Sequence, residues 1–276
     1  MKIIYILWGV LVTSVLVAVL FFTAVCKGWI GYVPPVEELE NPISKYASEI
    51  ISADNTLLGT WSMAENRLFA SKDEIAPCVY QALVATEDKR FYSHSGIDVR
   101  SLLRAVIKRG ILGHKEAGGG STITQQLAKQ LYTSSRAASA TERIHQKAIE
   151  WVIAVQLEKH YAKDEILTLY LNYFDFLHHA VGIKTAARVY FNKTPDRLNP
   201  DEAAMLVGMC KNPSYFNPMR HNERTRGRRN TVLMQMEKAG YLTKAACDSL
   251  SALPLTLHFT RMDHKDGLAP YFREYL

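Results

Sequence analysis

Two short stretches of the chain decide its fold. The first runs from Glu87 to Gly96 with the sequence EDKRFYSHSG, and the second runs from Gly120 to Leu127 with the sequence GSTITQQL. In the first stretch an acidic pair follows the apolar run Tyr80–Ala85, a pattern typical of the end of a helix. In the second, glycine precedes a Ser-Thr pair of the kind that caps a helix. Taken alone, the first pattern is most often a solvated acidic helix end, and the second is commonly an ordinary helix cap after a flexible loop.

The composition is that of an ordinary folded protein. The chain has 276 residues, of which 48% are hydrophobic and 22% charged, enough for one sizeable domain or a domain with a tail. Its net charge of +6 suits an anionic partner but does not separate nucleic acid from lipid phosphate. The four cysteines form no C-x-x-C pair, so we expect buried or membrane thiols, with no disulfide framework and no zinc site.

The N-terminal segment is uncharged from Ile3 to Cys26. As a helix it is roughly 36 Å long, enough to cross a hydrocarbon core of about 30 Å. Its last six residues, FFTAVC, offer no convincing cleavage site, so we expect a transmembrane anchor that is retained. Lys2 and Lys27 flank the span and leave its orientation open.

After the anchor the pattern changes from strand to helix. Residues Ala47–Trp61 predict a strand, a turn at Asp54–Asn55 and a second strand. A helix is predicted from about Pro77 to Glu87. Further helices are predicted at residues 98–112, 122–132, 141–160, 164–171, 180–190, 200–209, 223–239 and 243–249. Strands and helices do not alternate, so a mainly α domain is predicted and a parallel sheet is not.

The helix predicted at 98–112 allows two interpretations. Its apolar residues follow helical spacing, and four cations lie between them. It is either a core-facing helix with a solvated basic side or an interfacial helix that contacts anionic headgroups. The apolar residues are Val99, Leu102, Leu103, Val106 and Ile107, and the cations are Arg100, Arg104, Lys108 and Arg109.

Together and in this order, the two opening stretches resemble the peptidoglycan glycosyltransferases. A third motif lies on the helix 141–160, where the family has R-K-x-x-E and this chain has Lys147 and Glu150 with Gln146 in place of arginine. The stretch Ala162–Asn172, AKDEILTLYLN, resembles the S-K-D-E-I-L-x-x-Y-L-N of the family. The resemblance covers about residues 40–250 and five motifs.

The remaining two motifs match less evenly. Residues Val181–Lys193 resemble Y-G-I-x-x-A-A-x-x-Y-F-G-K, but the preceding V-Y-F-G is replaced by FDFL at Phe174–Leu177, the largest departure. The last motif begins at Glu202–Gly208 and continues into the arginine-rich stretch 220–229. There we expect Arg228 and Arg229 to bridge helices, and the lack of a nucleic-acid-binding fold argues against nucleic acid as a partner.

The resemblance implies a set of site residues. Glu87 is the proposed catalytic base, and the apolar helix before it is expected to raise its pKa toward the working range. Asp88 is a partner for nearby cations. The opening of the helix after Gly120 suits an anion, although the Gly-Lys-Ser/Thr ending of a nucleotide phosphate loop is absent. The substrate-binding candidates of these two motifs are Asp88, His94, Ser121, Thr122, Gln125, Gln126 and Lys129.

The third motif supplies the remaining candidates. Arg143, Lys147 and Glu150 are spaced i, i+4 and i+7 and share one helix face. Such a pair is often a solvated surface pair of little energetic weight. By resemblance, Glu150 is a second catalytic residue that holds the donor diphosphate together with Lys147. Arg143, one turn earlier, is our hypothesis for the cation missing at Gln146.

The resemblance also implies domains. We expect a cytoplasmic stub and anchor at 1–28, a juxtamembrane linker at 29–46, and the glycosyltransferase domain at 47–252. Residues 253–276 resemble the start of the linker of bifunctional class A penicillin-binding proteins. Because the sequence contains no Ser-x-x-Lys, it has no transpeptidase nucleophile, and we expect part of a bifunctional protein in preference to a monofunctional enzyme.

The function implied is polymerisation of lipid II by inverting transfer of a lipid-diphosphate-linked glycan to the 4-hydroxyl of GlcNAc. The fold implied is lysozyme-like, with a small membrane-contacting subdomain, in the bacterial inner membrane with the catalytic domain on the extracytoplasmic side. We expect Mg²⁺ or Mn²⁺ only with the substrate diphosphate, since no dedicated metal cage is visible, and no organic cofactor. The partners expected are the membrane, the lipid-linked strand and other wall-synthesis proteins.

Two other functions remain as alternatives. Paired glutamates in a lysozyme-like groove suit a hydrolase that cleaves glycan with water. The lost arginine and the altered fourth motif suit a non-catalytic membrane scaffold. The products distinguish them, because a polymerase makes longer lipid-linked glycan and a hydrolase makes shorter soluble fragments.

Overall fold

The computed structural model describes residues 2–29, 31–35, 48–54, 57–61, 68–105, 107, 120–133 and 138–260. The chain divides into two compact units. The anchor unit consists of Met1–Asn41 and Ser95–Tyr161, and the core unit consists of Pro42–His94 and Ala162–Leu276. The second half of the helix predicted at 98–112, most of the juxtamembrane linker and the C-terminal stretch from 261 onward lie outside the described residues.

The described residues form ten α-helices and one two-stranded sheet, so the prediction of a mainly α fold is confirmed. The strands are β1 (Ser48–Ile51) and β2 (Leu57–Trp61), which pair antiparallel as predicted, with a bulge between Ile50 and Ile51. The first helices are α1 (Lys2–Cys26), α2 (Pro77–Glu87), α3 (Val99–Ala105), α4 (Ile123–Tyr132) and α5 (Ala140–His160). The others are α6 (Lys163–Tyr173), α7 (Ile183–Phe191), α8 (Pro200–Met209), α9 (Asn222–Lys238) and α10 (Lys244–Ala252).

One predicted helix begins too early. The sequence pattern placed its start at residue 180, whereas α7 starts at Ile183. The Phe176 N–H donates to the Ala180 carbonyl at 2.9 Å, and a bridge pairs Asp175 with Val181, so this segment turns back on itself before the helix. Gly182 then adopts a φ of 84°, which helical residues do not have.

The FDFL stretch leads into an unusual turn before α7. Leu177, His178 and His179 have φ values of 65°, 53° and 62°, three left-handed residues in succession without a glycine. Neighbouring groups hold this conformation. The Leu177 N–H donates to Asp175 Oδ1 at 2.8 Å, and the His178 ring packs edge-on against Phe259 with centroids 5.3 Å apart.

In the anchor unit, α1 packs against α5. Phe22 of α1 stacks on Trp151 of α5, with ring centroids 6.1 Å apart and planes at 5°, and Val25 is fully buried. The apolar side chains that the structure describes from Ile3 to Leu20 are exposed, and the length and composition of α1 are sufficient for a membrane span. Helix α4 is tied to α5 by a 2.6 Å hydrogen bond from the Thr124 hydroxyl to Glu158.

Helix α3 favours the interfacial interpretation. Val99, Leu103 and Ile107, spaced four residues apart, are all exposed. A core-facing helix buries such a stripe, whereas a helix at a membrane surface leaves it for lipid. Its basic residues Arg100 and Arg104 are exposed as well.

The core unit is organised around α8. From Ala203 to Met209 every residue of α8 is buried, as in a helix that is surrounded by protein on all sides. Helices α2 and α9 both pack on it and on each other. As predicted, Arg229 of α9 links helices: it is almost fully buried, and its guanidinium donates to the carbonyls of Ser251, Leu253 and Pro254 at the end of α10. The four cysteines are free thiols, and two of them, Cys210 and Cys247, are buried.

A buried side-chain amide joins α6 to the chain just before α2. Asn172 has no exposed surface; its Oδ1 accepts from the Ala70 N–H at 2.8 Å, and its Nδ2 donates to the Ala70 carbonyl at 2.8 Å. The same Nδ2 donates to the Thr168 carbonyl at 2.9 Å. The Asn172 side chain therefore supplies a hydrogen-bond partner to both the backbone N–H and the backbone carbonyl of Ala70.

Replacing Asn172 with alanine leaves two buried backbone groups unpaired. We expect Asn172→Ala to lower the free energy of unfolding by about 2–4 kcal/mol, because each unpaired group costs roughly 1–3 kcal/mol. Thermal unfolding in detergent and hydrogen exchange at the Ala70 amide measure the loss. The exposed Asn222→Ala is the control. Equal melting temperatures for the two variants would refute this role.

Candidate active site

Glu87 lies in the last turn of α2, and Leu83 and Val84, one turn earlier on the same helix face, are buried. Its side chain is only 14% exposed, and Oε1 accepts a hydrogen bond from Arg228 Nη2 at 3.3 Å. The carboxylate is therefore withdrawn from bulk water and has a cation beside it. The sequence predicted the withdrawal but not the cation.

Arg228 reaches Glu87 because of a close approach between α8 and α9. Its Nε donates to the Gly208 carbonyl at 3.3 Å, and its guanidinium lies 5.8 Å from the centre of the Phe216 ring. A Cβ at Gly208 would lie 3.1 Å from Arg228 Cγ, so a glycine there leaves room for the arginine. Arg228 was predicted to bridge helices, and it does so while also pairing with Glu87. The two residues are 141 positions apart, and no local pattern links them.

Two other groups border the Glu87 carboxylate. Tyr170 and Cys210 are buried and hydrogen-bonded to each other through their side chains. Burial raises the pKa of both groups well above their ordinary values, and the negative charge of Glu87 raises each pKa further. Both therefore stay neutral at physiological pH.

The side chains of Asp88 and His94, which follow Glu87 in the chain, contact each other. His94 Nε2 lies 2.9 Å from Asp88 Oδ2, and each side chain is only 5% exposed. Lys163 donates to the His94 carbonyl at 2.6 Å, and its ammonium lies 4.3 Å from the centre of the Phe91 ring. These contacts fix the loop that follows Glu87. Substrate binding by Asp88 and His94 stays a prediction.

The second motif is attached to the end of the first. Thr122 is the N-cap of α4, its hydroxyl accepting from the Gln125 N–H at 3.1 Å and donating to the Gly96 carbonyl at 2.7 Å. Gln125 Nε2 also donates to that carbonyl, at 3.3 Å. Gly96 has a φ of 88°, and a Cβ there would lie 2.8 Å from the Ala154 carbonyl oxygen, so only glycine fits.

The members of the second motif are not equally accessible. Thr122 and Gln125 are buried, and their side chains donate hydrogen bonds to the backbone carbonyl of Gly96. Ser121 and Gln126 are partly exposed, and Lys129 is exposed near the end of α4. Substrate binding by these five residues stays a prediction, and Ser121 is the one that meets the third motif.

The third motif places two positively charged side chains, Arg143 and Lys147, along one cleft in the anchor unit, and we call this pair the cation site. Lys147 Nζ lies 2.5 Å from Glu150 Oε2 and donates to Ser121 Oγ at 3.3 Å. The Glu150 side chain is 4% exposed and also accepts from the Thr133 hydroxyl at 3.4 Å, whereas Lys147 is 42% exposed. Glu150 thus fixes the Lys147 ammonium from the buried side, and the ammonium remains accessible to an anion on its solvent side.

Arg143 lies on the same face as Lys147, as its spacing predicted. Both residues line one cleft beside α1, and Arg143 is exposed. No group of three or more His, Cys, Asp or Glu residues is placed to hold a metal ion within the part of the chain that the structure describes.

The Arg228–Glu87 pair can be tested by a double-mutant cycle. We expect Arg228→Ala to lower the free energy of unfolding by about 3–5 kcal/mol, because it leaves a mostly buried carboxylate without its cation. Adding Glu87→Gln should recover a large part of this loss, since the unpaired charge is gone. Thermal unfolding measures each variant, and Arg197→Ala, at an 80% exposed side chain, is the control. Strict additivity of the two changes would contradict the pairing.

The chain is similar in sequence to known proteins. The transglycosylase family model matches residues 54–237. The chain is 39% identical to penicillin-binding protein 1F of Bacillus subtilis over 212 residues, 77% of this chain and 28% of that protein. It is 37% identical to penicillin-binding protein 1A of Aquifex aeolicus (87% and 32%) and 38% identical to that of Escherichia coli (78% and 24%).

The chain thus spans 24–32% of the length of these three relatives. The family model covers more than half of the chain, including Glu87, Lys147, Glu150 and Arg228. The chain belongs to the transglycosylase family and carries a glycosyltransferase domain.

Proposed function

We propose that the chain polymerises lipid II into glycan strands for the bacterial cell wall, with Glu87 as the base. The observation that carries the proposal is the state of this carboxylate: it is 14% exposed and paired with Arg228, and both neighbouring acids, Tyr170 and Cys210, stay neutral. A general base must be held in one position to take up the proton, and the contact with Arg228 fixes the Glu87 carboxylate.

The reaction is an inverting sugar transfer. The 4-hydroxyl of the acceptor GlcNAc attacks the anomeric carbon of the lipid-linked donor, and its proton passes to the Glu87 carboxylate. The bond between that carbon and the diphosphate oxygen breaks, and the lipid diphosphate leaves with the bonding electrons. No general acid is required, because a diphosphate is a weak base already at neutral pH.

The leaving group needs positive charge, which the anchor unit supplies. Lys147 presents an accessible ammonium, and Arg143 lies one turn away on the same face. Preorganised cations stabilise charge that develops on a departing phosphate. Glu150 acts in this proposal by fixing Lys147, since its own oxygens are occupied by Lys147 and Thr133. A Mg²⁺ or Mn²⁺ ion, where it takes part, is held chiefly by the diphosphate oxygens.

We further propose that residues 47–252 are the catalytic domain and that the chain is a single-pass protein of the bacterial inner membrane, with this domain on the extracytoplasmic side. The length and composition of α1 support a span, and the exposed apolar stripe of α3 supports contact with the membrane surface. Other wall-synthesis proteins are the partners expected there.

The test is polymerisation of fluorescent lipid II by the detergent-solubilised chain with Mg²⁺ or Mn²⁺ present. The wild type should give a ladder of lipid-linked glycan, and Glu87→Gln should lower the rate by about 10²–10⁴-fold, the range typical of a lost general base. Asp196→Asn, at an exposed carboxylate, is the matched control. Soluble short fragments would favour a hydrolase, and no product from folded wild type would favour a scaffold.

The cation site is tested separately in the same assay. We expect Lys147→Ala to lower polymerisation by roughly 10²–10³-fold and Arg143→Ala by about tenfold or more, because both remove positive charge from the departing diphosphate. Lys159→Ala, near the end of the same helix, should have no effect. If Lys147→Ala abolished activity while Arg143→Ala left it unchanged, Arg143 would not be the replacement for the missing arginine.

A further inference from the structure

Helix α1 and the first turns of α5 border an open apolar groove in the anchor unit. It consists of two adjoining clefts of about 860 and 700 Å³, which share Phe21, Phe22 and Ile144. The first cleft runs along α1 from Ile6 to Phe22, roughly 24 Å at the rise of a helix. The second ends at the cations of the third motif.

The walls of the groove suit a hydrocarbon chain. Val10, Val17 and Ile144 line it, and Ile144 is 68% exposed on α5. Thr13, Ser14 and Ser139 also line it, and the Ser14 hydroxyl donates to the Val10 carbonyl of the same helix at 2.7 Å. At Gly9 an added Cβ would meet no atom within 4 Å, so the wall of the groove is open there.

The end of the groove suits an anion. Arg143 and Lys147 both line the second cleft and both reach solvent. The Arg143 guanidinium makes no hydrogen bond or ion pair with the residues that the structure describes, and the carboxylate beside Lys147 is buried. An apolar groove that ends at two cations is complementary to an amphiphile with a long hydrocarbon chain and an anionic head.

We propose that this groove binds the hydrocarbon chain of the lipid-linked donor and guides its diphosphate to Arg143 and Lys147. The inference rests on the proposed function and extends it from the diphosphate to the chain attached to it. A hydrocarbon chain gains little by moving from a bilayer to a protein groove, because lipid tails are equally apolar. The groove therefore acts by positioning: a chain held along α1 places its diphosphate beside the cations before the reaction.

The experiment uses the full chain in nanodiscs, with synthetic lipid II carrying either a full-length or a short chain. Val17→Trp fills the groove, and Val12→Trp places the same residue on α1 away from it. We expect Val17→Trp to lower kcat/KM for the full-length substrate about tenfold. It should leave the short-chain substrate unchanged, and Val12→Trp should match the wild type for both. If the two variants had equal effects, the groove would have no role in binding the hydrocarbon chain. The proposed polymerase activity would not be affected by that result.

A second measurement identifies the occupant directly. A photoreactive phenylalanine analogue at Ile144 should crosslink to full-length lipid II, and excess unlabelled lipid II should compete while excess phospholipid should not. The same analogue at Val12 is the control. Crosslinks only to phospholipid, or only to another segment of this chain, would overturn the proposal. Failure of the wild type to polymerise either substrate would instead count against the proposed function, because the crosslink does not depend on turnover.

Discussion

A carboxylate that is buried away from water must have a partner, and Glu87 in the core unit and Glu150 in the anchor unit both obey this constraint. Glu87, at the end of α2, is paired with Arg228, and Glu150, within α5, is paired with Lys147. Without the cation each buried charge would cost several kcal/mol. The packing of α2 with α8 and α9 in the core unit, and of α4 with α5 in the anchor unit, brings each partner into place.

The two pairs differ in which member remains accessible. In the anchor unit the carboxylate is buried and the cation is exposed, so the pair presents positive charge. In the core unit both members are mostly buried, and Arg228 is itself anchored to the Gly208 carbonyl. The first arrangement suits binding of a diphosphate, and the second suits holding a base in one position. Because of this difference, Lys147 binds the diphosphate in the proposed reaction and Glu87 takes up the proton.

Sequence patterns predicted the helices well, because apolar periodicity, caps and prolines are local signals. They also placed Arg143, Lys147 and Glu150 on one face, since helical spacing alone determines that. Contacts between distant segments were not predictable: nothing local joins Glu87 to Arg228, or Ser121 to Lys147. The left-handed turn at Leu177–His179 was missed for a related reason, because its conformation is held by Asp175 and by the distant Phe259 and not by glycine.

The central claim is that Glu87 performs the chemical step while the cation site binds the donor. The most direct measurement compares donor affinity and single-turnover rate in Glu87→Gln and Lys147→Ala, using a fluorescent lipid-linked glycan in nanodiscs. The account predicts that Glu87→Gln binds the donor as tightly as the wild type but forms the new glycosidic bond about 10²–10⁴-fold more slowly, whereas Lys147→Ala loses donor affinity. Loss of donor binding in Glu87→Gln, with a normal rate for the donor that does bind, would contradict it.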